Sequence, residues 1–406
     1  MIKMNSKTKL FSKNILCAVF AAVFICFCGC SKTVEVPDVS EYFSTELDVK
    51  PYEATNIRVD IYEVSEINGL EISELYALAC YDGKLYLTRG AVAENAFEEA
   101  KTGRIIEYDL KTKTTKTIVE STLPSLLPSD ENSEKTPESD DLIFIDYRDM
   151  GFYDNKLFFV KTSSYALGGA FFEYYYYDTI TGECELFFTP AASESNRTYR
   201  MRYGRLAFLD GKVYFDDKYD ISAETYSSDV YSYDLKSQAV SLEKKSAEAP
   251  ISYDGKILCY SNDGFYTLNN EFVFSPNNSN FIDVSEVCGG SILGFCNPVY
   301  DESGEYANGS AVGYYNSDSF ERNYILASAA EALYFGDIVS AGDFIAWKSD
   351  PAPIAFADVE QGNVIVLSSD IAYFASFVDD KRLNVVSFDL DNNGFPSFFT
   401  VYSVEL

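Results

Sequence analysis

Leu75-Tyr76-Ala77-Leu78-Ala79-Cys80-Tyr81-Asp82-Gly83-Lys84-Leu85-Tyr86-Leu87-Thr88 is two apolar runs joined by Asp-Gly. Asp-Gly between such runs is the strongest short-range hairpin signal, because the favoured two-residue turn needs positive φ at both central positions. The phrase returns as Phe208-Leu209-Asp210-Gly211-Lys212-Val213-Tyr214 and as Ser252-Tyr253-Asp254-Gly255-Lys256-Ile257. An Asn variant stands at Phe152-Tyr153-Asp154-Asn155-Lys156-Leu157-Phe158. Four copies of one hairpin make this a repeat protein.

Each of the first three hairpins in the chain is followed by a second phrase. The three copies are Tyr108-Asp109-Leu110-Lys111, Tyr177-Asp178-Thr179-Ile180 and Tyr233-Asp234-Leu235-Lys236, each leading into another short apolar run. One unit is therefore strand, tight turn, strand, long connection, strand ending in Tyr-Asp, turn, strand. Four antiparallel strands per unit is the blade of a β-propeller, an all-β fold. Turn signals near 82, 154, 210, 254, 289, 343 and 380 predict seven blades, with six or eight as the alternatives. The last unit runs out of chain after three strands, and a spare strand at 57–64 precedes the first hairpin. That N-terminal strand is expected to complete the last blade and close the ring, which removes an open edge. Apolar residues occupy both parities of the inner strands (Tyr76, Ala77, Leu78, Ala79), as expected where both sheet faces are covered by neighbouring blades.

Composition agrees: aromatics are 16% of the 406 residues, with 32 Tyr and 31 Phe against a single Trp. Tyr and Phe favour strands. The formal charge of −31 argues against nucleic acid as a partner and against attraction of the whole chain to an anionic lipid surface. Glycans or proteins fit better. The chain has no histidine, which excludes Ser-His-Asp and Cys-His catalysis and His-ligated zinc.

The first 29 residues carry lysines as their only charges, followed by the apolar run 15–27, the layout of a secretory signal. Phe27-Cys28-Gly29-Cys30-Ser31 resembles the lipobox of bacterial lipoproteins, although Phe27 stands where that family usually has Leu. The resemblance implies cleavage before Cys30, lipidation of Cys30, and a monomer in the cell envelope, held to the membrane by its N-terminal lipid alone and lying outside the cytoplasm. An uncleaved N-terminal anchor gives the same topology. Residues 30–53 read as a flexible tether and 54–406 as the propeller. The five cysteines from Cys80 onward (Cys80, Cys184, Cys259, Cys288, Cys296) lack framework spacing and read as buried thiols.

Tight turns fall between first and second and between third and fourth strands, so they share one rim. Long connections, including 89–103, 121–141, 162–172, 216–229 and 298–312, fall on the other, and loops on a rigid scaffold are where binding concentrates. The candidate ligand-binding residues there are Asp216, Asp217, Tyr219, Asp220, Tyr226, Tyr300, Asp301, Glu305 and Tyr306. Tyrosine and carboxylate together suit sugar hydroxyls or a protein surface; solvated loops without a ligand are the alternative. No catalytic residue and no cofactor is assigned. Asp389-Leu390-Asp391-Asn392-Asn393-Gly394 resembles the start of a calcium loop, which would make Asp389, Asp391 and Asn393 ligands of Ca²⁺. The twelfth position is Thr400 rather than Glu, and an ordinary polar turn is the competing reading.

The Tyr-Asp-Gly-Lys and Tyr-Asp-Leu-Lys phrases resemble those of exported bacterial propellers of the Kelch-like and Tol-associated kind over 54–406. The sialidase Asp-box and the tryptophan-docking repeats of quinoprotein dehydrogenases are missing. Two functions follow: a lipid-anchored binding or scaffold protein working through its long-loop rim, or a carboxylate-dependent glycoside hydrolase needing two acids about 5–10 Å apart.

Overall fold

The computed structural model describes residues 48–67, 70, 72–92, 102–123, 142–165, 170–189, 206–222, 225–261, 264–274, 281–287, 291–296, 299–300, 306–308, 310–315, 322–328, 334–341, 344–350, 354–358, 361–368, 374–379, 381–390 and 396–406. Among them are strands, turns and two short 3-10 turns. No helix among the described residues is long and apolar enough to cross a membrane. The signal segment and Cys30 lie outside the described residues.

Seven antiparallel sheets follow in chain order, at 76–122, 142–188, 207–244, 248–274, 281–328, 334–368 and 374–405, and these are blades 1 to 7. The innermost strand of blade 1, Tyr76–Tyr81, touches both Leu142–Tyr153 of blade 2 and Phe374–Val378 of blade 7. The expected seven-bladed ring is thus formed and closed. Blade 7 takes its outermost strand from the N-terminal side of the chain: Val59–Val64 pairs antiparallel with Pro396–Glu405, Val59 opposite Val404 and Val64 opposite Phe399. Arg382 reinforces the join, its guanidinium donating to Asp60 Oδ2 and to Ser403 Oγ, each at 3.0 Å.

Two additions were not legible in the sequence. Asp48–Pro51, the end of the segment read as a tether, is a fifth strand running parallel to Asn363–Ser368 on the outer edge of blade 6, with Asp48 opposite Asn363. Pro51 is tolerated because an edge strand leaves one side of its backbone unpaired. Ala91–Val92, from the long connection of blade 1, pairs with Ile145 and Phe144 on the inner edge of blade 2. Gly90 lets it approach, since a Cβ there would stand 3.1 Å from the Ile145 carbonyl oxygen.

The repeated phrases have separate physical roles. Asp82 and Gly83 have φ of 49° and 71°, and the pairs at 154/155, 210/211 and 254/255 are likewise both positive, the mirror-image turn that matches strand twist. The Asp of Tyr-Asp caps the outer turn: Asp109 Oδ1 accepts the N–H groups of Lys111 and Thr112, and Asp178 and Asp234 repeat the arrangement. The two turns of a blade are then tied together, Leu110 N–H donating to Gly83 C=O, Thr179 to Asn155 and Leu235 to Gly211. These turns form one face of the ring.

Blades pack through aromatic seams, which explains the tyrosine run of blade 2. Tyr174 and Tyr176 point into the seam with blade 3, against Phe215 and Tyr233, while Tyr177 packs the other way against Tyr86 of blade 1. Both faces of the blade are buried, so hydrophobic alternation is absent. Tyr81 spans three blades, stacked on Phe152 at 4.8 Å and edge-on to Phe377 at 5.8 Å.

Candidate functional site at the long-loop rim

The connection read as a loop at 216–229 is instead regular structure, and so is much of 162–172. In blade 3 the strands Lys212–Ser222 and Thr225–Asp234 pair along their length. The inner strand Ala207–Leu209 covers this hairpin only as far as Tyr214, and the outer strand Ala239–Lys244 only from Val230. The described residues 218–222 and 225–227 therefore continue past both neighbouring strands as a two-stranded ribbon. The hairpin's register sets Asp217 opposite Asp229, Tyr219 opposite Ser227 and Asp220 opposite Tyr226. Blade 2 builds a second long hairpin from Lys156–Tyr165 and Ala170–Asp178, backed along its length by Leu142–Tyr153.

Five predicted site residues, Asp216, Asp217, Tyr219, Asp220 and Tyr226, thus share the blade 3 hairpin. Tyr300 and Tyr306 face each other in a separate small sheet, Val299–Tyr300 with Tyr306–Asn308. Asp301 and Glu305 lie outside the described residues.

At the ribbon's base the acids serve the fold. Asp216, Asp217 and Asp229 are buried. Asp216 Oδ2 accepts the Ala249 N–H at 3.0 Å, and Asp229 Oδ1 accepts the Ser246 N–H at 2.9 Å. Ser246, in the crossover from blade 3 to blade 4, and Ala249, at an irregularity in the first strand of blade 4, have positive φ of 52° and 49°. Two buried carboxylates from neighbouring strands thus hold the bent entry into blade 4, whose backbone conformation is costly for residues other than glycine. Lys244 locks the same crossover by donating to the Thr267 carbonyl at 2.8 Å in blade 4. No sequence signal marks these anchors, because each partner is a main-chain N–H in the next repeat.

Asp389 lies on Arg382–Leu390, its carboxylate accepting from Thr400 Oγ1, the residue at the loop's twelfth position. Asp391 and Asn393 lie outside the described residues, and no group of three metal-binding side chains occurs among the described ones. Cys80 and Cys259 are buried, as the sequence reading has them, while Cys184 on the outer strand of blade 2 is exposed, correcting that reading. Burial pushes the Cys259 thiol up to about 12, the reverse of what a nucleophilic thiolate needs. A cavity of about 220 Å³ lies on the outer flank of blade 1, lined by Ile67, Leu70, Arg104, Ile106, Thr115 and Thr117, with Arg104 Nε 3.1 Å from Glu120.

No family model and no curated protein matches the chain. Solved structures similar to it include an acylaminoacyl peptidase of Pyrococcus horikoshii, at 13% identity and TM-score 0.45 over 87% of this chain and 58% of that one. The β-propeller domain of the Trilobed protease of Pyrococcus furiosus is similar at 14% identity and TM-score 0.36, over 89% and 92%. A chain from the Saccharomyces cerevisiae complex of Dbp5 with Nup159 and Gle1 is similar at 9% identity and TM-score 0.41, over 89% and 99%.

Proposed function

We propose that this protein is a lipid-anchored, extracytoplasmic β-propeller of the bacterial envelope that captures a protein partner through its long-loop rim. The observation carrying this reading is the blade 3 ribbon, a two-stranded extension whose register places Tyr219, Asp220 and Tyr226 past the buried acids of its base. Such a ribbon offers backbone edges for strand addition and aromatic positions for anchoring, the two elements of extended-peptide recognition. A glycan is the second ligand class, suited to the same tyrosine and carboxylate positions. The hydrolase alternative draws no support from Asp216 and Asp229, which are occupied by the crossover between blades.

The test is co-purification from crosslinked envelopes with the intact protein and with Tyr219→Ser/Tyr226→Ser, beside a glycan array. A partner captured by the intact protein and lost in the double variant supports the reading. Equal capture by both removes the ribbon from it. Glycan binding without protein capture replaces the partner class.

A further inference from the structure

We infer that the tight-turn face of the ring rests on the membrane surface to which the chain is anchored, so that the long-loop rim faces away from the bilayer. This inference rests on the lipid anchor proposed above and adds a second contact to it, one made by the folded domain. Three independent features of the face support it.

The first is where the described chain enters the ring. Asp48 stands opposite Asn363, the residue directly after the outer turn Gln361–Gly362 of blade 6. Strand Asp48–Pro51 then runs away from that turn, parallel to Asn363–Ser368. Whatever precedes Asp48 therefore meets the ring on the tight-turn face. Seventeen residues separate Cys30 from Asp48. Even fully extended, a segment of this length reaches no more than about 65 Å, so the anchor and this face stay on the same side of the ring.

The second is charge. Each inner turn of blades 1 to 4 pairs one acid with one lysine, as in Asp82 with Lys84 and Asp154 with Lys156. The outer turns of blades 1 and 3 add the exposed Lys111, Lys113 and Lys236, against Asp109 and Asp234. The outer turns of blades 2 and 4 add Asp178, Glu183 and Glu271 with no lysine, so the turns of blades 1 to 4 hold nine acids against seven lysines, a small acid excess in a chain whose formal charge is −31. Beside an anionic bilayer this face is repelled less than the rest of the molecule, and its lysines near the surface add attraction over about a Debye length. The field of the whole chain thereby becomes an orienting force.

The third is apolar exposure. Ile180, at the tip of the outer turn of blade 2, is 76% exposed, the most of any large hydrophobic residue described, and Leu406 on the same face is 42% exposed. Leu406 belongs to the turn layer, its N–H donating to the Lys381 carbonyl. Exposed apolar tips on a rim that faces a bilayer can enter the headgroup region.

The experiment is lysine acetylation read by mass spectrometry on the lipidated full chain, in phosphatidylcholine vesicles containing phosphatidylglycerol and in detergent. Several-fold protection of Lys111, Lys113 and Lys236 in vesicles is expected, with no change at Lys245, which is exposed at the opposite rim between blades 3 and 4. Ile180→Asp should reduce that protection while the protein still floats with the vesicles. Equal labelling at both rims, or protection at Lys245, overturns the inference and leaves the anchor standing. Failure of the wild-type chain to float overturns the anchor and the inference with it.

Discussion

Arg382 and Asp60 are 322 positions apart in the chain and lie 3.0 Å apart in the fold, an ion pair between the second strand of the last blade and the N-terminal strand that completes it. Arg58 extends the pair to Glu405 at 3.5 Å. Because both ends of the chain meet in one sheet, ring closure is the least local event in this fold, and its side chains should be felt in global stability. Arg382→Met is expected to lower unfolding free energy by about 1–2 kcal/mol, measured from urea midpoints. An unchanged midpoint would mean that the backbone ladder alone holds the ring. Deleting residues 55–66 exposes the edge of Pro396–Glu405 and should give insoluble protein. A soluble, folded deletion would refute closure by this strand.

The seam beside that closure depends on Asn384, fully buried, which donates to the Cys80 carbonyl at 3.0 Å and accepts from Ser403 Oγ at 2.7 Å. Asn384→Leu takes the side-chain donor from the Cys80 carbonyl and the acceptor from the Ser403 hydroxyl, which keeps its bond from Arg382. A loss of about 2–3 kcal/mol is expected in chemical denaturation, and a loss below the error of the measurement would show that the seam relaxes around the change.

The outer turns invite a stabilising substitution. Lys113 and Gln238 have φ of 57° and 56° at the position that blade 2 fills with Gly182, φ 74°. Lys113→Gly and Gln238→Gly should each stabilise by about 0.5–1 kcal/mol, read as a higher melting temperature. Gly182→Ala should do the opposite, since a φ of 74° is strained for a residue with a Cβ. Destabilisation by both glycines would place the energetics of these turns in side-chain contacts.

Acid should loosen the same turns. The Thr112 N–H beside Asp109 holds its carboxyl below the ordinary range, and the Ser237 N–H does so for Asp234. At Asp178 burial works upward, but the Thr181 N–H and the Lys156 ammonium outweigh it and the carboxyl again sits low. A carboxyl lower in the fold than in the unfolded chain stabilises above its unfolded value, about 3.9. That contribution is lost as pH falls through the folded value. The melting temperature should therefore drop below about pH 4. The triple variant Asp109→Asn/Asp178→Asn/Asp234→Asn, which keeps an accepting oxygen at each turn, should show a shallower drop, and an identical acid profile would exclude these caps as its source.

Asp216 separates a structural from a ligand-binding role. Asp216→Ala should destabilise by about 1–3 kcal/mol and speed proteolysis within 245–249, since the Ala249 N–H loses its acceptor. Unchanged stability and proteolysis would return Asp216 to the binding surface.

What the sequence disclosed follows from the range of the forces involved. The hairpin at Asp82-Gly83 is decided by two adjacent residues, so seven turn signals predicted seven blades, and the spare strand at 57–64 was recognised by counting. The ribbon at 218–222 and 225–227 was hidden because Asp, Lys and Ser are poor strand formers and resemble a loop. Pairing between its own two strands overrides that preference. Strand Asp48–Pro51 has four residues, one of them proline, and shows no periodicity at all. The role of Asp216 depends on a main-chain group 33 positions later and leaves no mark on composition.

The parallel strand Asp48–Pro51 also bears on mechanics. Its first residue lies at the tight-turn face and its axis runs along Asn363–Ser368. A pull on the chain ahead of Asp48, directed away from that face, acts along the strand, so its four register positions are sheared together instead of being peeled one after another. Shear is the stiffer geometry. The strand can act as a strain relief between the preceding chain and Val59–Val64, so that tension is taken up on blade 6 before it reaches the strand that closes the ring.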